Sequence, residues 1–297
     1  NTGNLSIVID TGSDVLTTIS SSTTTFTGPT TVTSGMLLYT RTAARSPGSA
    51  VTVAAPGSIG LGVGSSGFFT STNVDQLFAN TLSGITMNAA SGVGIDTSAG
   101  NFTYATNQSA SRSLTKLGTN TLTLSGNSTY SGQTFVNAGT LSVTGSIAGS
   151  DVTVRSGGSL GGSGTIGTSV AVLAGGTLAP GTSIESLGAG HLNFSANSTY
   201  AYEMNNDALP AVAGDLTFSS GNLTIAAGAI LTLAELGSGS WGMGEKLTLI
   251  SYNGTWNNGV FTYLGNPLSD GSDFSFSGAT WNINYDDSVK GSNYTSD

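Results

Sequence analysis

No cysteine occurs in the 297 residues. Disulfides, thiolate metal sites and cysteine nucleophiles are excluded together, an absence common in large exported chains. Charge is scarce as well: seven Lys and Arg stand against 16 Asp and Glu, for a net charge of −9. The basic residues, Arg41, Arg45, Arg112, Lys116, Arg155, Lys246 and Lys290, are scattered along the sequence. Such a distribution has no cluster to displace counterions from nucleic acid or to dock on anionic lipid. No run approaches the about 18 consecutive apolar residues of a membrane-spanning helix, so no membrane insertion of this segment is expected. The chain opens on Asn1 rather than methionine, as expected of an exported form whose signal peptide has been removed.

Groups able to carry chemistry are equally sparse. Asp286-Asp287 is the one acidic pair, and adjacent residues in a strand point to opposite faces. Asp270-Gly271-Ser272-Asp273 lacks the further acids of a calcium loop and reads as a turn. His191, the single histidine, has no nucleophile-elbow pattern to serve and reads as an exposed turn residue. Gly60-Leu61-Gly62 and Gly161-Gly162-Ser163-Gly164 lack the lysine of a phosphate loop. The sequence therefore predicts no catalytic residue, no cofactor and no metal.

What the chain does have is glycine and hydroxyls: 44 Gly, 44 Ser and 43 Thr. Disorder is excluded because the apolar residues form alternating runs such as Leu122-Thr123-Leu124 and Leu247-Thr248-Leu249. A 16-residue stretch occurs twice, as TTFTGPTTVTSGMLLY at Thr24–Tyr39 and STYSGQTFVNAGTLSV at Ser128–Val143. Both copies align an aromatic (Phe26, Tyr130), two glycines (Gly28 and Gly35, Gly132 and Gly139), a valine (Val32, Val136) and a leucine (Leu37, Leu141). A shorter repeat follows: DVTVRSGGSL from Asp151, SVAVLAGGTL from Ser169 and, more loosely, NLTIAAGAIL from Asn222. A strand, a glycine corner and one apolar residue make a coil that buries its apolar face only against the coils above and below.

The expected fold is all-β: a right-handed parallel β-helix, or β-solenoid, of roughly 10–13 coils stacked about 4.8 Å apart. Its core ladder comprises Leu122, Leu124, Val136, Leu141, Val152, Val154, Leu160, Val170, Val172 and Leu178. Residues 1–60 read as N-terminal coils, 61–115 as insertion-bearing coils, 116–240 as the core repeats and 241–297 as an aromatic C-terminal cap. Ser71-Thr72-Asn73 ahead of Val74, Leu77 and Phe78 predicts the one short helix. Turns at Asn253-Gly254, Asn258-Gly259 and Asp270-Gly271 predict the hairpins of the cap, which also holds Trp241, Trp256 and Trp281.

Leu5, Ile7 and Ile9 alternate within Asn1–Asp10, where no Pro, Lys or Arg blocks a strand edge. Such a strand lies on its own first coil or adds to another subunit, which predicts a homo-oligomer or filament. A row of Tyr104, Tyr130, Tyr200 and Tyr202 on one face would instead suit a surface glycan or protein ligand, although Tyr130 occupies a repeat position and reads as structural. A carbohydrate-active β-helix enzyme is the third reading and needs clustered carboxylates.

KLGTNTLTLSGNSTYSGQTFVNAGTLSV, Lys116–Val143, resembles the autotransporter-associated β-strand repeat of bacterial surface and secreted proteins. The matching positions are Lys116-Leu117-Gly118, Leu122-Thr123-Leu124-Ser125-Gly126, Tyr130-Ser131-Gly132, Thr134, Val136 and Gly139-Thr140-Leu141. Gly175–Ser183, GGTLAPGTS, resembles the element that follows such repeats in passenger domains. Neither a translocator barrel nor a C-terminal sorting helix is expected within these residues. The resemblance implies a parallel β-helix at the cell surface or outside the cell, and no particular activity.

Leu141→Asp should be severely destabilising, by about 4 kcal/mol or more, because it leaves a carboxylate among apolar rungs. A melting temperature near that of the wild type would show the register to be wrong.

Overall fold

The computed structural model describes residues 7–9, 16–20, 27–46, 48–181, 184–208, 214–241, 246–286 and 294–296. The chain divides into two compact units, residues 1–140 with 147–150 and residues 141–146 with 151–297. Both are built of parallel strands, and the fold is a parallel β-helix.

In the first unit, Ile7–Ile9, Thr30–Val32, Val51–Val53 and Ile85–Met87 form one parallel sheet in that order. A second takes Leu16–Ile19, Met36–Tyr39, Ser58–Gly62, Gly92–Asp96, Leu114–Leu117 and Thr134–Val136. Phe102–Tyr104 pairs with Thr121–Leu124 in a third wall. Strands of three to five residues suffice because each inner strand shares its backbone hydrogen bonds with the coil before and the coil after. The two long repeats are the same corner in different walls. Each passes from a strand ending in a buried valine through a glycine at positive φ (Gly35, 70°; Gly139, 60°) to a buried leucine. The second copy's first strand, Thr134–Val136, continues the sheet occupied by the first copy's second strand, Met36–Tyr39.

The longest coil of this unit carries the helix Ser71–Phe78. Asn73 Oδ1 accepts the Thr70 N–H at 3.0 Å, and Val74, Leu77 and Phe78 face inward. The helix packs against Gly92–Asp96, and that strand is buried along its whole length.

The second unit shows why the short repeat works. Register stacks Val152, Val170, Leu192 and Leu223 in one row and Val154, Val172, Phe194 and Ile225 in the next. Leu160, Leu178, Tyr200 and Leu231 form a third row across the corner. A full copy, His191–Tyr200, therefore lies between the second and third copies seen in the sequence. The corner residues are Gly157 (φ 82°), Gly175 (75°), Asn197 (58°) and Gly228 (84°). Asparagine tolerates the left-handed conformation, so the backbone repeats where the glycine signature does not. Phe194, Tyr200 and Phe261 fill the widened interior, with ring centroids 5.1–5.8 Å apart.

The last strands turn antiparallel. Thr262–Tyr263 pairs with Asn266–Pro267, and Asp273–Phe276 with Ala279–Ile283, which also pairs with Tyr294–Ser296. The hairpin turns differ from those expected. They fall at Leu264-Gly265 (φ 48° and 83°) and Ser277-Gly278 (φ 50° and 77°), two consecutive positive φ angles in each. Asn253-Gly254 instead makes a coil corner, its two N–H groups bonded to Ser219 O and Gly221 O of the preceding coil.

Asn197→Gly should leave stability nearly unchanged, whereas Asn197→Val should cost about 1–2 kcal/mol through its Cβ clash at positive φ. Denaturant midpoints measure both, and equal values would remove the corner role.

Candidate functional site

The alternation Leu114-Thr115-Lys116-Leu117 turns Lys116 inward, not Leu117. Lys116 is fully buried and sits in an apolar row between Ile95 and Val136. Its Nζ donates to Leu117 O (2.9 Å), Gly118 O (2.7 Å) and Ala138 O (2.9 Å), one carbonyl for each ammonium hydrogen. Burial pulls its pKa down to about 8, with Asp96 opposing that shift, so the ammonium persists at neutral pH. Arg112 is used similarly: its Nε donates to Phe78 O (3.0 Å), and its Nη1 to Asn88 O (2.6 Å) and Ser91 O (3.2 Å). Arg45 Nη2 donates to Ser83 O. These three cations hold turns whose carbonyls have left the ladder.

The strand Leu216–Ser219 has its alternation reversed. Thr217 and Ser219 are buried, while Leu216 is half-buried and Phe218 is 50% exposed. The inward hydroxyls have partners: Thr217 Oγ1 meets Tyr200 Oη at 3.1 Å, and Ser219 Oγ donates to Gly190 O at 2.8 Å. Asp215, just before the strand, is buried and accepts the N–H groups of Glu185 (3.2 Å) and Glu203 (3.1 Å). Burial raises its pKa to about 7; those N–H bonds oppose the rise, and the carboxylates of Glu203 and Glu185 add to it.

Of the expected assembly residues, Leu5 lies outside the described residues. Ile7–Ile9 forms a parallel strand on Thr30–Val32 of its own chain, with Ile9 buried and Val8 68% exposed. Among the described residues, no strand pairs with its other edge. The ladder residues Leu122, Leu124, Val136, Leu141, Val152, Val154, Leu160, Val170, Val172 and Leu178 are all buried.

The outward row is a correction for Tyr104, Tyr200 and Tyr202, while Tyr130 has the structural place that its repeat position implied. Tyr104, Tyr130, Tyr200 and Tyr202 are all buried, at 3% exposure or less, and present no outer face. They occupy inner rungs because a ring fills a wide coil, and three of the hydroxyls reach polar partners: Tyr104 Oη donates to Asp75 Oδ1 at 2.6 Å, Tyr130 Oη meets Thr134 Oγ1 at 2.7 Å, and Tyr200 Oη donates to Leu249 O at 2.7 Å. His191 is exposed, as expected, but lies within the strand Ser186–Phe194 rather than in a turn. Its Nδ1 accepts the Asn222 N–H of the next coil at 2.9 Å, the duty Asp151 Oδ1 performs toward Ser169 N at 3.1 Å. Asp270 and Asp273 accept bonds from Tyr285 N and Asn282 Nδ2, and Asp286 is exposed. Among the described residues, no three of His, Asp and Glu converge as metal ligands.

Sequence patterning misses Lys116 and Phe218 because each has the wrong polarity for the face it occupies. A lysine two residues before a positive-φ glycine (Gly118, 78°) is the one sequence cue to the former.

Residues 114–143 match the passenger-associated-transport-repeat family. The chain thus carries an autotransporter passenger repeat, a module of surface-exposed domains, and Lys116 with its three carbonyls lies inside it. No curated protein matches the chain.

Lys116→Met should destabilise by about 2–4 kcal/mol, since three corner carbonyls lose their donor. Asp215 supplies a pH test. Its folded pKa is raised, so its stabilising contribution is full below about 3.8 and disappears as pH rises through about 7. Urea midpoints should fall between pH 4.5 and 7.5 more steeply in the wild type than in Asp215→Asn. Parallel curves would refute the assignment.

Proposed function

We propose that this chain is a non-catalytic structural protein of the bacterial cell surface or extracellular matrix, assembling through the strand Ile7–Ile9. The passenger repeat supports the location. The duty of the buried ionisable groups supports the absence of catalysis: Lys116, Arg112 and Asp215 each bond to backbone groups of neighbouring coils. Groups tied in that way serve the corners of the coils rather than a bound substrate.

Assembly is carried by one observation. Ile7–Ile9 is the outermost described strand of its sheet, paired on one side, with Val8 turned to solvent. Such an edge recruits another strand unless it is covered. A contact between unlike surfaces propagates into a filament. A second reading follows from the antiparallel pairing of Asp273–Phe276, Ala279–Ile283 and Tyr294–Ser296. Antiparallel pairing of these strands favours pairing of two Ile7–Ile9 edges into a closed dimer.

Deleting residues 1–10 should abolish large assemblies while leaving the β-sheet circular dichroism intact. Light scattering and electron microscopy separate filament, dimer and monomer. Unchanged fibres after the deletion, or a strict monomer for the intact chain at high concentration, would defeat the proposal.

A further inference from the structure

Phe218 stands on the outer face of a sheet whose cross-strand row reads Thr165, Gly188, Phe218 and Ser251. At about 4.8 Å per rung the row is about 14 Å long. Gly188 leaves bare backbone between the aromatic ring and Thr165, so the row forms a groove with a ring at one side and a low floor. Ser163, Ser186, Ser220 and Asn253 rim it, and among the described residues no charged side chain lines it.

The register itself marks this groove as built. A slip of one residue in Leu216–Ser219 would put Leu216 and Phe218 inside and Thr217 and Ser219 outside. The chain adopts the other arrangement. Tyr200 Oη and Gly190 O take the inward hydroxyls, and the N–H groups of Glu185 and Glu203 hold the Asp215 carboxylate. Three polar groups are buried with partners so that one aromatic faces solvent. Core packing alone would favour the reverse.

We infer that this groove binds an uncharged polysaccharide segment, with a sugar ring lying on Phe218 and sugar hydroxyls bonding the rim. An aromatic face takes the C–H face of a pyranose, and Ser, Thr and Asn side chains both donate and accept, as sugar hydroxyls require. An ionic ligand would lose hydration with no opposite charge to meet it. A wholly apolar ligand would strip water from the rim hydroxyls without replacing their bonds. The site does not depend on end-on assembly through Ile7–Ile9.

Isothermal titration of the full chain with maltohexaose, cellohexaose and chitohexaose tests this, with heparin and polygalacturonate as anionic controls. Binding of at least one neutral hexasaccharide is expected. Phe218→Ala should weaken it at least tenfold, and Phe218→Tyr should stay within about threefold. Gly188→Ser raises the floor, its Cβ about 3.2 Å from Thr165 Cγ2, and should also weaken binding at least tenfold. Melting temperatures of the three variants establish that they fold. No binding across the neutral panel, preference for the anionic controls, or equal affinity in Phe218→Ala and wild type would each overturn the inference. The deletion of residues 1–10 should leave the titration unchanged, which keeps this outcome separate from that of the assembly proposal.

Discussion

Parallel register between successive coils is the constraint on which this protein depends. Each strand of two to nine residues is too short to stand alone, and its N–H and C=O groups are completed only by neighbouring coils. Inward rows then stack like on like, as with Val152, Val170, Leu192 and Leu223. The arrangement fails first at corners, where the backbone leaves the ladder and its polar groups lose their natural partners. Much of the polar composition serves those corners. Asn101 and Asn107 accept N–H groups from Thr121 and Asn127 one coil on, and Asn222 does the same for Thr255.

Buried charge follows the same logic. A lysine between Ile95 and Val136 would be untenable in an ordinary core, yet three carbonyls converge on its ammonium where the chain turns. The same reasoning accounts for the single histidine, which behaves as a longer asparagine and accepts the N–H just ahead of the strand Leu223–Ile225. In both cases a residue type associated with catalysis is consumed by backbone geometry.

Alternating Val and Leu with a glycine corner made the coil readable, because period-two burial and positive φ leave direct marks on composition. Three things were not readable. His191–Tyr200 is a full coil, but Asn197 substitutes for glycine and Phe194 and Tyr200 for aliphatics. Lys116 and Phe218 invert the polarity expected of their faces, since distant partners such as Ala138 O and Tyr200 Oη set their orientation. The hairpins turn at Leu264-Gly265 and Ser277-Gly278, where Leu and Ser adopt angles usually met by asparagine. Tertiary register decides each of these, and local pattern carries no trace of it.

Coil length is where the architecture is free. The register from Val152 to Val170, Leu192 and Leu223 is kept although the intervening coils hold 18, 22 and 31 residues. In the first unit, a coil enlarged by the helix Ser71–Phe78 still returns its strand to the row, Ile59 against Val93. Extra residues leave at a corner and re-enter at the next rung, so the register of the rows is kept even where the insertion packs against them. A protein made this way can diversify by insertion, acquiring new outward loops while its internal rows keep their pairing.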